Sequence, residues 1–359
     1  MHTENKHCLI IAEAGVNHNG SVELAHQLVD AAADAGADVV KFQTFRADSL
    51  VSQSAPKAAY QTRQTGAEQT QLEMLKALEL SEAAHHALMR HCAERGVEFM
   101  SSPFDAQSLD FLVSLGVRRI KLGSGELTNA PMLLAVGQSG LPLILSTGMS
   151  VLAEVEDALG ALAFGYANTS EKPSRRAFLE AWASPAKRAH VLGKVSLLHC
   201  TTEYPAPRDQ INLRAMQTLK AAFGVECGFS DHTEGISVAL AAVAMGATII
   251  EKHFTLDRAL PGPDHKASLE PAVFKSMVDG IREVESALGD GIKKPVPVEV
   301  PNMRIARKSL VAARPIAAGE IITADALTAK RPGTGLSPFD YWDVVGTTAR
   351  IDYAFDDPI

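Results

Sequence analysis

Two short segments, SDHT at 230–233 and EKHFT at 251–255, each set a histidine just past an apolar run. If the two runs are neighbouring parallel strands, His232 and His253 leave the sheet at the same end and can converge on one divalent ion. Two imidazoles leave coordination positions open to water or a substrate oxygen, which is how an enzyme uses a bound ion as a Lewis acid. The alternative is two unrelated histidines, each hydrogen-bonded where its strand ends.

Other strand-like runs close on polar groups in the same way. The set comprises Glu13, Lys41 with Gln43, Ser101 with Ser102, Lys121 with Ser124 and Glu126, Ser146 with Thr147, Thr201 with Tyr204, Ser230 and Glu251. Lys41 and Gln43 are two residues apart, as are Glu251 and His253, so each pair projects to one side of its strand. A serine or threonine in such a place also serves as a helix N-cap, and Glu13 and Glu126 can be solvated rim charges. The lysines are more telling, because DVVKFQT and RRIKLGSG put Lys41 and Lys121 in apolar surroundings where an ammonium needs an anion. Either an internal carboxylate or a substrate phosphate or carboxylate satisfies that need. The turns Ser124-Gly125 and Ser146-Thr147-Gly148 offer hydroxyls and backbone N–H groups suited to anion oxygens.

Eight strand-like runs alternate with helical patterns up to residue 289: CLIIAEAG, ADVVKFQTF, VEFMSSPF, RRIKLGSGE, PLILSTGM, KVSLLHCTTEYP, VECGFSDHT and ATIIEKHFT. The alternation and its length predict an α/β chain folded as a closed (β/α)8 TIM barrel over residues 1–289. A doubly wound sheet also alternates, but the first strand lacks the GxGxxG turn of a dinucleotide site. The stretch 164–193 contains AFLEAWASP, expected to be a short extra helix in a solvent-exposed insertion. The last barrel helix stops at Gly289, KKPVPVEVP marks a linker over 290–303, and a small β-rich domain without a long helix follows over 304–359.

The 359 residues carry a formal charge of −8 and no clustered basic stripe, which argues against nucleic-acid or acidic-membrane partners. Cys8, Cys92, Cys200 and Cys227 are too dispersed for CxxC motifs, and a chain of this size does not need disulfide staples. No apolar run approaches the ~20 residues of a membrane span, and the start lacks a basic, then apolar, export signal. These features place the expected location in the cytoplasm.

The motifs AEAGVNHNG, VKFQTF, SSPFD, KLGSGE, ILSTGM, LHCTTEYPAP, GFSDHT, EKHFT, GPDHKASLEP, ARKSLVA and KRPGTG stand in the order seen in the sialic acid synthases. The chain resembles that family over nearly its whole length. The resemblance implies a TIM barrel joined to an antifreeze-like SAF (β-clip) domain, in a homodimer whose small domains cap the partner's barrel. It implies condensation of phosphoenolpyruvate with an open-chain 2-acetamido sugar of the N-acetylmannosamine type, giving a nine-carbon 2-keto acid (N-acetylneuraminate) and phosphate. The N,N'-diacetyllegionaminate branch, which uses 2,4-diacetamido-2,4,6-trideoxymannose, is the alternative, since GPDHKASLEP is similar to both branches.

Carried onto matching positions, the resemblance gives Lys41, Ser102, Lys121, Ser124, Ser146 and Ser230 to phosphoenolpyruvate. His232 and His253 would bind Mn2+, or else Mg2+ or Co2+. Gln43, Glu126, Tyr204 and Asp264 would contact the sugar, with Arg331 from the partner's cap, and Glu13 would transfer a proton or orient the sugar. Thr202, where some members carry Asn, is left outside this set. Two rivals stand beside this reading. A Schiff-base aldolase would use Lys41 or Lys121 as nucleophile and needs no metal. An ice-binding or other binding role for the C-terminal domain leaves the polar strand ends unexplained.

Overall fold

Eight parallel strands form the frame of the first unit: β1 (Leu9–Gly15), β2 (Val39–Thr44), β3 (Glu98–Pro103), β4 (Ile120–Leu122), β5 (Leu143–Ser146), β6 (Val195–Cys200), β7 (Glu226–Asp231) and β8 (Ile249–His253). They are hydrogen-bonded in the order β3-β2-β1-β8-β7-β6-β5-β4, and β3 and β4 come together to complete the ring. The computed structural model describes residues 7–52, 55–66 and 69–359. It divides the chain into Met1–Gly289 and Asp290–Ile359.

Strand alternation explains how the barrel positions polar groups. Ile11, Val39, Met100, Ile144, Leu198 and Ile249 form one buried cluster that fills the interior as an apolar layer. Two residues further along the same six strands stand Glu13, Lys41, Ser102, Ser146, Cys200 and Glu251. Every one therefore points into the barrel, one layer nearer its C-terminal mouth. Gly228 fits this packing, because a Cβ there would lie 2.4 Å from the Ile249 carbonyl oxygen and 2.8 Å from Leu198 Cδ2. The opposite strand faces, including Ile10, Val40, Phe42, Ile120, Leu145, Phe229 and Ile250, pack against the surrounding helices in the main core. Helix starts are fixed by side-chain caps, among them Ser21 accepting from Leu24 N and Asp105 accepting from Ser108 N.

The stretch after the fifth barrel helix differs from the exposed insertion expected for it. It forms two helices, Arg175–Ala183 and Pro185–Leu192, whose Ala177, Ala181, Trp182 and Val191 are buried. The preceding helix, Leu152–Tyr166, is apolar nearly all round, so it needs cover on its outer side as well as its inner one. Close approach occurs at Gly160, where a Cβ would sit 2.7 Å from Phe178 O.

The second unit pairs β9 (Ser309–Ala312) with β10 (Leu327–Lys330) in antiparallel register, around a core of Ala312, Ile316, Ile322, Ala326, Leu327 and Ala349. The expected linker is more ordered than its prolines alone imply. It holds a 3-10 turn at Pro297–Glu299 and leads into a helix at Val300–Ala306. Pro297 and Pro301 stand in the first turns of these elements, where a missing N–H costs no helical hydrogen bond. Among the described residues no helix is long and apolar enough to cross a membrane.

Candidate active site

The C-terminal mouth of the barrel opens on a cavity of about 340 Å³. Glu13, Lys41, Gln43, Ser102, Lys121, Ser124, Ser146, Tyr204, Ser230, His232, His253 and Asp264 all line it, so twelve of the fourteen residues given a role in the sequence meet in one place. Two do not. Glu126 lies on the 3-10 turn Ser124–Glu126 and its Oε2 accepts from Asn129 Nδ2 at 2.7 Å, outside the cavity lining. Arg331 is an exposed residue of the second unit, with Nε donating to Ala306 O at 3.1 Å.

At the floor, two ammonium groups and two carboxylates are locked together. Lys41 Nζ pairs closely with Glu13 Oε2 and stands 3.6 Å from Glu251 Oε2, while Lys121 Nζ stands 3.5 Å from Glu251 Oε1. Of the two kinds of anion that the buried lysines could take, internal carboxylates are present. Lys41 also donates to Ser102 Oγ (3.3 Å), Lys121 to Ser146 Oγ (2.8 Å), and Ser230 Oγ to Glu251 Oε1 (2.7 Å).

The two carboxylates are driven apart in acidity. Both suffer burial, but Glu251 has two lysines and the Ser230 hydroxyl against it, which hold its pKa down at about 2. Glu13 has burial and the charge of Glu251 against ionisation and only Lys41 strongly for it, so it is pushed up to about 7. Lys41, facing both carboxylates, is held in its charged form although burial opposes it. Lys121 is pulled down by burial and by Lys41. The cluster thus contains one group, Glu13, whose proton is exchangeable near neutrality.

His232 and His253 leave adjacent strands with ring centroids 5.5 Å apart. His232 Nδ1 donates to the Thr201 carbonyl at 2.7 Å, which assigns the tautomer and leaves Nε2, 3.3 Å from Ser230 Oγ, as the lone-pair nitrogen. His253 Nδ1 is buried without a hydrogen-bond partner. Burial lowers the pKa of both, and for His253 the His232 ring adds to this, so both are neutral and able to bind a metal. Among the described residues no group of three or more His, Cys, Asp or Glu side chains forms a metal cage. The donor set fits an ion held by two imidazoles and otherwise by substrate and water. Tyr204 stacks near His232, with centroids 4.2 Å apart, and meets His253 edge-on.

Across the mouth, the turns after β4 and β5 pack closely against each other and against the end of β6. Gly148 N donates to Ser124 Oγ at 2.9 Å, and Ser124 Oγ lies 3.1 Å from Cys200 Sγ. A Cβ on Gly148 would fall 2.5 Å from Thr202 Oγ1 and 2.9 Å from Cys200 Sγ. Thr202 and Cys200 line the cavity although sequence reasoning left them out of the site, and Glu251 is central although it received no role. For Glu251 the signal was present, since it stands two residues before His253 on one strand face.

A family model described as the NeuB family matches residues 28–293, and one described as the SAF domain matches residues 307–359. The chain is 47% identical over 354 residues to N,N'-diacetyllegionaminic acid synthase of Campylobacter jejuni, covering 99% of each chain. It is likewise 47% identical to the synthase of that name from Legionella pneumophila, over 95% of this chain and 90% of the relative. Among solved structures, the N-acetylneuraminic acid (sialic acid) synthetase of Leptospira borgpetersenii, in complex with citrate, aligns with a TM-score of 0.66 at 32% identity, over 83% of this chain and 91% of that one. With this barrel mouth, followed by a SAF domain, the chain belongs to the NeuB family of sialic acid synthases.

Proposed function

We propose that this enzyme joins phosphoenolpyruvate to the open-chain form of a 2-acetamido sugar, forming a C–C bond and releasing phosphate to leave a nine-carbon 2-keto acid. The observation that carries the reading is the floor of the cavity. Two buried ammonium groups for an anionic enol phosphate share one chamber with a neutral histidine pair and a carboxylate that titrates near neutrality. The kinship with synthases of this type supports it.

Lys121, Ser124 and Ser146, with Lys41, Ser102 and Ser230, bind the phosphate and carboxylate of phosphoenolpyruvate and fix its C3. Gln43, Tyr204 and Asp264 orient the sugar chain so that its C1 meets C3. A divalent ion, Mn2+ in the first place and Mg2+ or Co2+ otherwise, would be held by His232 and His253 and would polarise the sugar aldehyde oxygen. The C2=C3 electron pair forms the bond to C1, the C1=O pair moves onto the aldehyde oxygen, and C2 is left electron-deficient. Glu13 accepts one proton of the water that adds at C2 and passes it to the new C1 oxygen; the other proton leaves with phosphate as the C2–O bond breaks, the bridging oxygen departs with phosphate and C2 becomes the ketone. Glu126, engaged with Asn129, has no assigned step.

N-acetylmannosamine, giving N-acetylneuraminate, is the family-level substrate; 2,4-diacetamido-2,4,6-trideoxymannose is the second reading, favoured by the two relatives at 47% identity. A Schiff-base aldolase leaves the neutral histidine pair without a role, and as its nucleophile Lys41 is disfavoured because it is held protonated between two carboxylates. We further assign the enzyme to the cytoplasm, consistent with four unpaired cysteines, and to a homodimer in which Arg331 reaches the partner's site. Exposed aromatic side chains on the small domain, Phe339 at 90% and Trp342 at 78%, suit burial against another surface. The test is phosphate release from phosphoenolpyruvate, required to depend on both an amino sugar and a divalent ion. Release without the sugar, or capture of a lysine adduct by borohydride, would refute the assignment.

A further inference from the structure

Asn17, in the turn that follows β1, is a buried amide used on one side only. Its Nδ2 donates twice, to Phe254 O at 2.8 Å and to Ser268 Oγ at 2.9 Å, while its Oδ1 is buried without a hydrogen-bond partner. The Phe254 carbonyl can only accept, so the NH2 group must face it and the two amide atoms are assigned. A buried amide with an unsatisfied oxygen carries a desolvation cost that an apolar residue in its place would not. What the amide supplies is its two N–H bonds, and both reach across to the chain that leaves β8.

One of those bonds leads to Asp264. Ser268 Oγ, which accepts from Asn17, donates in turn to Asp264 O at 2.7 Å. His265, the next residue along, has its ring nitrogens 2.7 Å from Thr255 Oγ1 and 3.2 Å from Asn19 Oδ1. On the other side of Asp264, a Cβ on Gly262 would fall 2.9 Å from Asn19 Oδ1 and 2.7 Å from His265 Cδ2, so the chain passes tightly against the same turn. The loop after β8 is thus fastened to the turn after β1 on both flanks of Asp264, and of this loop Pro263 and Asp264 line the cavity. A carboxylate on a loop is placed only as well as its backbone is held, and a displacement of about 1 Å at an orienting group can cost on the order of 100-fold.

Resting on the activity assigned above, we propose that Asn17 and Ser268 are positioning residues for sugar use, which set the place of the Asp264 carboxylate through the hydrogen-bond chain Asn17–Ser268–Asp264. Neither lines the cavity, so both act through Asp264 and not on the substrate. Asn17 has a second attachment, because Phe254 directly follows His253, whereas the Ser268 hydroxyl joins Asn17 to the Asp264 carbonyl. Ser268 is therefore the cleaner probe.

Ser268→Ala removes one oxygen and the link with it. The specificity constant for the sugar, measured by phosphate release with N-acetylmannosamine and with 2,4-diacetamido-2,4,6-trideoxymannose, should fall about 10- to 100-fold. KM for phosphoenolpyruvate and Mn2+ affinity read by calorimetry should not change. Asn17→Leu, which keeps a branched side chain without the N–H bonds, should lower sugar use at least as much. A double-mutant cycle then separates positioning from general support. Asp264→Ala alone should impair the sugar at least as far as Ser268→Ala does, and beside it Ser268→Ala should have no further effect, since the group it places is gone. A Ser268→Ala loss that persists undiminished beside Asp264→Ala, a loss shared equally by phosphoenolpyruvate and Mn2+ binding, or full sugar use in both Ser268→Ala and Asn17→Leu would overturn the positioning role while leaving the condensation intact. Full sugar use in Asp264→Ala would remove the role of Asp264 and this proposal with it. No phosphate release by the parent with either sugar would instead overturn the condensation itself.

Discussion

Lys252 and Asp231 form an ion pair with Nζ 2.9 Å from Oδ2, both side chains fully excluded from solvent, immediately behind the two histidines. Each residue directly precedes a histidine, and the two are register partners across β7 and β8. Lys252 also donates to Thr233 O, while Asp231 Oδ1 accepts from Thr233 N and Oγ1, both at 2.8 Å. The pair thus ties the strand carrying His232 to the one carrying His253 on the face away from the cavity. A buried ion pair seldom adds net stability over packed apolar groups, so its expected contribution is to alignment.

Lys252→Met alone leaves Asp231 buried and uncompensated, and should destabilise the protein by about 3–5 kcal/mol in urea unfolding. The double variant Asp231→Leu with Lys252→Met should recover most of this. A residual cost of roughly 1–3 kcal/mol remains, because Thr233 N loses its acceptor. Mn2+ affinity of the double variant, read by calorimetry, should fall about 10- to 100-fold, the cost of losing support behind metal ligands. Unchanged affinity would reduce the pair to a structural element.

Much of this site is legible in sequence because barrel strands are read in steps of two. Once Ile11, Val39 and Ile249 are interior, Glu13, Lys41 and Glu251 must be as well, one layer higher. The choice of anion for Lys41 and Lys121 is not legible, since it depends on which strands become neighbours: Glu251 lies 210 residues from Lys41 and meets it only when the ring closes. The packing of the helices at 175–192 is hidden for a similar reason. Their buried face is small, and its partner is a helix that reads as a core element from its own composition.

Removal of divalent ions should abolish phosphate release, with Mn2+ restoring it. His232→Ala and His253→Ala should each lower turnover at least ~100-fold, on the scale seen when one essential electrostatic group is removed. Full turnover in chelator-treated, metal-free buffer would end the assignment of the histidine pair as ligands.

Asp264 gives the stability curve a definite sign. Burial pushes its pKa up to about 6, above the ordinary 3.8, with Lys41 opposing. A raised carboxyl pKa means that the folded state holds its proton longer than the unfolded chain. Stability from this group is therefore complete below about pH 4 and lost as pH rises through 6. Asp264→Asn should match the parent near pH 4 and exceed it by roughly 2–3 kcal/mol above pH 7, measured by denaturant unfolding without substrates. The same variant should use the sugar poorly. A stability gain that is equal at both pH values would show that burial does not raise the pKa of Asp264.

Arg331 tests whether one site needs two chains. Its guanidinium is exposed, and its Nε bond to Ala306 O leaves the terminal nitrogens available to an N-acetyl oxygen in a partner's barrel. A charge-assisted hydrogen bond of this kind contributes roughly 1.5–3 kcal/mol, so Arg331→Ala should lower the specificity constant for the sugar about 10- to 150-fold, with KM for phosphoenolpyruvate little changed. Mixing this variant with His232→Ala separates crossed from uncrossed caps. With crossed caps, a heterodimer contains one site with both defects and one with neither, and activity returns. If each cap serves its own barrel, every site keeps one defect, and verified heterodimers remain inactive.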